Sequence, residues 1–256
     1  MKFITRLACA LATAATLGTA AAHAADLAAD EGAQAWRFAI SPYFWAAGTS
    51  GQVGIDGLGP YAMSSSFSQL LKNVDFSFMG IAEARKGKLS LFSDIVYTRL
   101  GKNVGSRHPA LGSSVKLGAN AFAGLLGAGY TIAGDGADHL DALAGVRVWN
   151  SSSSIMFSGG ALHAIGSRDS ATWADAVVGL RGQYFLSEDV YLTGWGLIGA
   201  GEARFERDLM AAVGYKFDRR YSVVVGYRSL GVDYQRGGFV YDVVQQGPVV
   251  GLVVRF

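Results

Sequence analysis

The stretch Tyr221-Ser222-Val223-Val224-Val225-Gly226-Tyr227-Arg228 decides the fold. Its alternate residues form two sets: Tyr221, Val223, Val225 and Tyr227 are apolar without a break, whereas Ser222, Val224, Gly226 and Arg228 mix small residues with a charge. A two-residue period is that of a β-strand, whose side chains point alternately to opposite faces. In a soluble sandwich one face is apolar and buried and the other is polar and wet. Here the unbroken apolar face sits opposite a face of glycine, small residues and an isolated charge, as expected when lipid lies outside and a narrow lumen inside. The pattern recurs. In 209–217, Leu209, Ala211, Val213, Tyr215 and Phe217 face Met210, Ala212, Gly214 and Lys216. In the last stretch, Pro248, Val250, Leu252, Val254 and Phe256 point outward against Gly247, Val249, Gly251, Val253 and Arg255 inward.

Working outward, ten segments have strand character: 35–48, 74–85, 88–100, 114–131, 139–151, 172–185, 189–200, 204–217, 220–234 and 238–256. Short polar turns join some of them, at Arg85-Lys86-Gly87-Lys88, Gly134-Asp135-Gly136-Ala137-Asp138, Ser187-Glu188-Asp189 and Asp218-Arg219-Arg220. On the other side the connections fall at 49–73, 101–113 and 152–171, with much shorter ones at 201–203 and 235–237. Tight turns alternating with larger loops are the pattern of periplasmic turns and extracellular loops. The predicted fold is all-β, a transmembrane antiparallel up-and-down β-barrel of about ten strands; eight or twelve follow if one hairpin is misassigned.

Three regions are expected: a cleaved signal peptide (1–24), a short N-terminal periplasmic segment (25–34) and an outer-membrane barrel (35–256). Lys2 and Arg6 precede an apolar run from Leu7 to Ala22, and Ala22-His23-Ala24 has the small-x-small form of a cleavage site. Cys9, the only cysteine, leaves with the leader, so the mature chain has neither a disulfide framework nor a thiol nucleophile. Loss of Lys2 and Arg6 leaves 20 Lys+Arg against 20 Asp+Glu. A net charge of zero argues against a nucleic-acid partner. The composition, with 35 glycines, 12% aromatic and only 16% charged residues, suits a barrel in lipid. Beyond the leader no apolar stretch reaches the 18 residues of a spanning helix.

Charge on the lipid face costs a few kcal/mol near the midplane, so the strand charges are expected in the lumen, paired. They are Arg37, Asp75, Glu83, Asp94, Lys116, Asp141, Arg147, Asp175, Arg181, Lys216, Arg228 and Arg255. Asp141 to Arg147 and Asp175 to Arg181 repeat the form Asp-x-x-x-Gly-x-Arg, with Gly145 and Gly179 leaving room for arginine stems. Aromatic girdles are expected outside: Trp36, Phe38 and Phe44 on the first strand, and Tyr184, Tyr191, Tyr215, Phe217, Tyr221 and Phe256 at the periplasmic rim. Trp45, Trp149 and Trp173 fall on the inward parity, to lie beyond the membrane or to stack in the lumen.

Several stretches carry a family resemblance: Ser41-Pro42-Tyr43-Phe44-Trp45-Ala46-Ala47-Gly48, Glu83-Ala84-Arg85-Lys86-Gly87-Lys88, Ala144-Gly145-Val146-Arg147-Val148-Trp149, Val178-Gly179-Leu180-Arg181-Gly182, Val225-Gly226-Tyr227-Arg228 and Gly247-Pro248-Val249-Val250-Gly251-Leu252. The chain resembles the small proteobacterial outer-membrane proteins of the OmpA/OmpW-like barrel type, in particular a group with no defined activity. The resemblance implies the fold and an outer-membrane location, and transfers no catalytic residue. Phe256 resembles the C-terminal signal read by the barrel-assembly machinery, with Val254 in the apolar position two before it. The expected partners are therefore that machinery during insertion and outer-membrane lipid and lipopolysaccharide afterwards, around a monomer.

An enzymatic site needs a base beside a nucleophile or an activated water. The mature chain offers His108 and His163 in outer loops and His139 in a turn; Ser167, Asp169 and Ser170 near His163 are ordinary loop residues. No histidine pair or cysteine cluster suggests a metal, and no cofactor is expected. Asp233 and Asp242, at strand ends, fit a solvated rim better than a divalent ion shared with lipopolysaccharide. The expectation is a non-enzymatic barrel whose charge-paired lumen is largely closed, in a structural or envelope-integrity role. The alternatives are a narrow channel past Arg147, Arg181 and Arg228, or surface binding through 49–73 and 152–171, where Phe67 and Leu70-Leu71 make an apolar segment over the mouth.

Overall fold

The computed structural model describes residues 35–55, 58–105, 114–158 and 166–256. The expected signal peptide, the segment 25–34, His108 and His163 lie outside the described residues. Twelve strands form in order: β1 (Arg37–Trp45), β2 (Gly48–Ile55), β3 (Leu58–Ser65), β4 (Val74–Lys86), β5 (Leu89–Gly105), β6 (Ser114–Asp135), β7 (Asp138–Ser158), β8 (Gly166–Phe185), β9 (Val190–Gly201), β10 (Phe205–Lys216), β11 (Tyr221–Arg236) and β12 (Phe239–Arg255). A short helix, α1 (Phe67–Leu71), lies between β3 and β4.

Ten of these strands make the barrel. β1 pairs with β4, β4 to β12 pair in sequence, and β12 pairs back with β1, all antiparallel. Closure is finished by the C-terminal residue, where the Phe256 N–H donates to the Phe38 carbonyl at 2.8 Å. The two remaining strands were not legible in the sequence: 49–73, expected as a loop, folds into the β2–β3 hairpin and α1. β12 is long enough to hold both β1, against Val249–Arg255, and β2, against Val240–Gln246. The hairpin thus continues the barrel wall upward from β1.

β6, β7 and β8 are 22, 21 and 20 residues long. About ten residues at a tilt cross a bilayer, so the rest of each strand stands beyond it on the extracellular side. Much of what was expected as loop in 101–113 and 152–171 is therefore ladder. The extracellular β9–β10 and β11–β12 connections are tight turns, and in the latter Gly237 and Gly238 hold the left-handed backbone that hairpin turns favour.

The outer surface is apolar along every barrel strand, with Ile40, Phe78, Leu91, Leu126, Val146, Leu180, Ile198, Val213, Val225 and Leu252 all exposed. The β11 alternation holds in space: Tyr221, Val225 and Tyr227 face out, while Ser222, Val224 and Arg228 are buried inside. Tyr191 corrects the expected periplasmic girdle. It lies on the inward parity of β9 at 1% exposure, its ring over Gly214, where a side chain would collide with it at 2.1 Å.

Candidate functional site

The lumen is packed in layers. The layer nearest the periplasm is ionic. Arg85 from β4 pairs with Asp141 of β7 and, from Nε at 3.1 Å, with Glu83; Glu83 also takes the Arg181 guanidinium from β8. Thr131 donates to Asp141 at 2.7 Å and Ser90 at 3.1 Å, so the buried carboxylate is saturated. The Arg181 guanidinium lies 4.6 Å above the Phe92 ring, which begins an apolar layer of Leu125, Leu143, Val177, Trp195 and Leu197.

A second ionic layer lies above. Arg228 is 1% exposed and spends its donors on three partners. Nη2 reaches Asp94 at 2.5 Å and Asp208 at 2.7 Å, Nε reaches the other Asp208 oxygen at 3.0 Å, and Nη1 reaches the Tyr43 hydroxyl at 2.7 Å. The Tyr43 hydroxyl in turn donates to Asp94 at 2.8 Å. Arg147 donates to Asp208 at 2.6 Å and lies 3.4 Å from Glu206. Glu206 also accepts the Trp149 indole N–H at 2.7 Å, which ties this layer to the aromatic one above it. There Trp149 stacks on Trp173 at 5.9 Å and Trp173 on Tyr234 at 4.1 Å, with Trp45 and Tyr241 in the same cluster. Of the inward tryptophans, Trp149 and Trp173 therefore stack within the lumen, and Trp45 packs in the same cluster.

The charges expected in the network divide. Glu83, Asp94, Asp141, Arg147, Arg181 and Arg228 lie in the two ionic layers. Asp141 and Arg147 do not pair with each other, nor do Asp175 and Arg181. Six residues along a strand is about 20 Å, so Asp141, Arg147 and Arg181 each find a partner on another strand at their own level. Asp175 is buried opposite Arg147 in the ladder, yet it accepts the Ala203 backbone N–H at 2.7 Å and so fastens the β9–β10 turn. Lys216 sits at the periplasmic end, 3.9 Å from Asp189. Arg255 donates to the Ser222 hydroxyl.

Three placements need correction. Arg37 is exposed at the periplasmic mouth rather than in an ionic layer, because its strand has just begun. Asp75 lies at a β-bulge between Val74 and Phe76, which breaks the parity and turns it to exposed Arg99 at 4.0 Å. Lys116 is exposed on the outward parity of β6, in the part that stands in water, where alternation no longer sorts charge.

Four contributors were missed. Arg85 reads as part of a turn in the sequence, although it shares the inward parity of Glu83 on β4. Glu206 and Asp208 share the parity of Met210 and Ala212, so running that alternation two pairs back along β10 finds both. Tyr43 gave no signal beyond its parity with Trp45. Among the described residues, no cluster of three or more His, Cys, Asp or Glu is placed to hold a metal. Asp233 and Asp242 are cross-strand neighbours at the extracellular end, with Arg204 3.6 Å from Asp233.

Three of the cavities among the described residues bear on this packing. One of about 660 Å³ opens at the periplasmic mouth beside Arg37, Arg219 and Arg220. One of about 100 Å³ lies between the ionic layers, touched by Arg181 and Arg228. The third, about 220 Å³, lies in the extracellular half above Trp45.

No protein-family model and no curated protein matches the chain. Solved structures do. The outer membrane protease OmpT from Escherichia coli aligns over 87% of this chain and 97% of its own, at 12% identity and a TM-score of 0.55. The chain is an outer-membrane β-barrel. The attachment invasion locus protein Ail of Yersinia pestis (12% identity, 87% and 99% covered, TM-score 0.38) and Neisserial surface protein A (13%, 86% and 97%, 0.32) are weaker likenesses. What is shared with OmpT is fold, and none of these likenesses singles out the OmpA/OmpW-like type.

Proposed function

We propose that this barrel is a non-catalytic scaffold of the outer membrane whose lumen is closed by its own side chains. One observation carries the reading: Arg228, Asp94, Asp208 and Arg147 join β5, β7, β10 and β11 across the lumen, directly beneath the stacked Trp149, Trp173 and Tyr234. Buried ions held on several partners do not move aside for a solute without losing bonds worth several kcal/mol. The carboxylates of the ionic layers are engaged by guanidinium groups, which leaves them poorly placed to activate a water.

A narrow Arg/Asp-lined channel is the competing reading, and the cavity of about 100 Å³ between the layers favours it. Planar-bilayer recording of the mature protein, with folding checked by heat-modifiable gel mobility, separates the two. A plugged barrel gives no single-channel steps, and Arg181→Ala stays silent because the upper layer and the tryptophans still close the axis. Discrete openings of the wild type, with a size or ion preference changed by Arg181→Ala, would make it a channel.

A further inference from the structure

The cavity above Trp45 differs from the rest of the lumen. Phe44, Met79, Val96, Leu100, Ala121, Tyr241 and Val243 are among its walls, and every residue lining it is uncharged, the polar ones being Thr, Ser, Asn, Gln and Tyr. Its floor is Trp45, buried and held by its indole N–H on the Gly247 carbonyl at 3.2 Å. Its side wall is unusual for a barrel. β1 pairs with β4 only up to Gly80, and among the described residues β3 pairs with β2 alone and Val74–Met79 of β4 with β5 alone. Between those two unpaired edges no ladder closes the wall, and α1 stands at the gap.

Side chains of α1 make that stopper. Phe67, Leu70 and Leu71 line the cavity, and Phe67 meets Phe44 edge-on at 5.6 Å. Phe44 belongs to the outward apolar surface, as do Phe76 and Phe78 on β4; Leu71 is half exposed. The cavity therefore adjoins the lipid-facing belt through apolar side chains, without a row of backbone hydrogen bonds to break. Dry apolar cavities of about 150 Å³ already take up a benzene ring, and this one is about 220 Å³.

We propose that the cavity holds the end of an acyl chain of an outer-leaflet lipid, admitted sideways at the foot of the seam between β3 and β4, beside lipid-facing Phe44 and Phe78, with α1 as the yielding element. The mostly apolar walls suit methylenes and carry no cation to pair with a phosphate or carboxylate, so the headgroup stays at the membrane surface while the chain enters. A methylene arriving from lipid, unlike one leaving water, gains only its packing, so occupancy reflects the fit of the chain.

The test is photolabelling of the full mature protein in vesicles of phosphatidylcholine carrying a terminal diazirine on one acyl chain, with adducts mapped by mass spectrometry. Adducts are expected at Met79, Val96 or Val243 in addition to the outer belt. Ala121→Trp, which fills the cavity from β6, should lower the inner adducts by about tenfold or more, as the indole takes the space and the packing contacts of the chain end, and leave the belt adducts unchanged. Ala119→Phe serves the same purpose should the tryptophan variant fail to fold. Labelling confined to the belt, or inner adducts unchanged by filling, overturns the proposal. Inner adducts from a water-added diazirine fatty acid but not from the phospholipid overturn the membrane source. A silent or a conducting bilayer leaves this result untouched, since the cavity lies above the plug.

Discussion

Replacement of Arg228 by methionine is the most direct challenge to the idea that the upper ionic layer holds the barrel together. Methionine keeps the apolar stem and removes the cation. Asp208 retains its 2.6 Å bond from Arg147, but Asp94 is left with only the Tyr43 hydroxyl. At an effective dielectric of about 20, a unit charge pair 4 Å apart is worth about 4 kcal/mol, and removing one partner of a buried pair typically costs about 3–5 kcal/mol. We expect Arg228→Met to lower the unfolding free energy by that amount in urea titrations of vesicle-reconstituted protein, followed by tryptophan fluorescence. Asp94→Asn alone should cost less, since the cation keeps Asp208. In Arg228→Met/Asp94→Asn the orphaned charge is gone, so the double variant should recover about 1–3 kcal/mol relative to additivity. A single-variant cost below about 1 kcal/mol, or strictly additive losses, would refute the argument that this pair is a coupled buried unit.

Two further variants probe other parts of the packing. Asp141→Ala removes the partner of Arg85, which keeps Glu83 and lies close to the periplasmic mouth, so the loss should sit near the lower bound, about 3 kcal/mol, in the same titration. At Gly179 an added methyl carbon would stand 2.1 Å from the Gly196 carbonyl oxygen, whereas at Gly196 the nearest atom is a Leu209 methyl at 3.5 Å. Gly179→Ala should therefore cost about 1–3 kcal/mol and Gly196→Ala no more than about 0.5 kcal/mol; equal effects would show that backbone crowding at Gly179 is relieved elsewhere.

The parts of this fold that were readable are those that lipid enforces. Wherever a strand crosses the bilayer, a charge on the outer face is costly, so Leu209, Val213 and Tyr215 alternate with Met210 and Ala212 and the ten crossings stand out. Beyond the bilayer that selection lapses. β2 and β3 read as loop because Gly48-Thr49-Ser50-Gly51-Gln52 has the composition of one; what makes a strand of it is the free upper edge of β12, a partner about 190 residues away in the chain that no local pattern reveals. Lys116 and Asp75 were misplaced for the same reason, one in a strand standing in water and the other at a bulge. Within the lumen, parity names the charged residues but not their partners. That Arg228 meets Asp94 of β5 as well as Asp208 of its own hairpin follows from the stagger of the strands around the barrel, which depends on every register at once.

The same separation of faces explains why the interior carries ionic layers instead of being oily throughout. With an outer surface that must be apolar, an equally apolar lumen would leave the two faces of each strand nearly equivalent. A one-residue slip in pairing, which exchanges the faces of a strand completely, would then cost little in lipid. With the observed interior, a slip of β7 would turn both Asp141 and Arg147 to the membrane, and a slip of β11 would expose Arg228. An arginine on the lipid face near the midplane costs about 2–4 kcal/mol, and its former carboxylate partners would be left buried and unpaired, a further penalty of several kcal/mol. A buried ion pair adds little stability over a well-packed apolar pair of the same size. Its consequence here is that the inverted register becomes the expensive one, so the charges that close the lumen also fix which face of each strand looks into it.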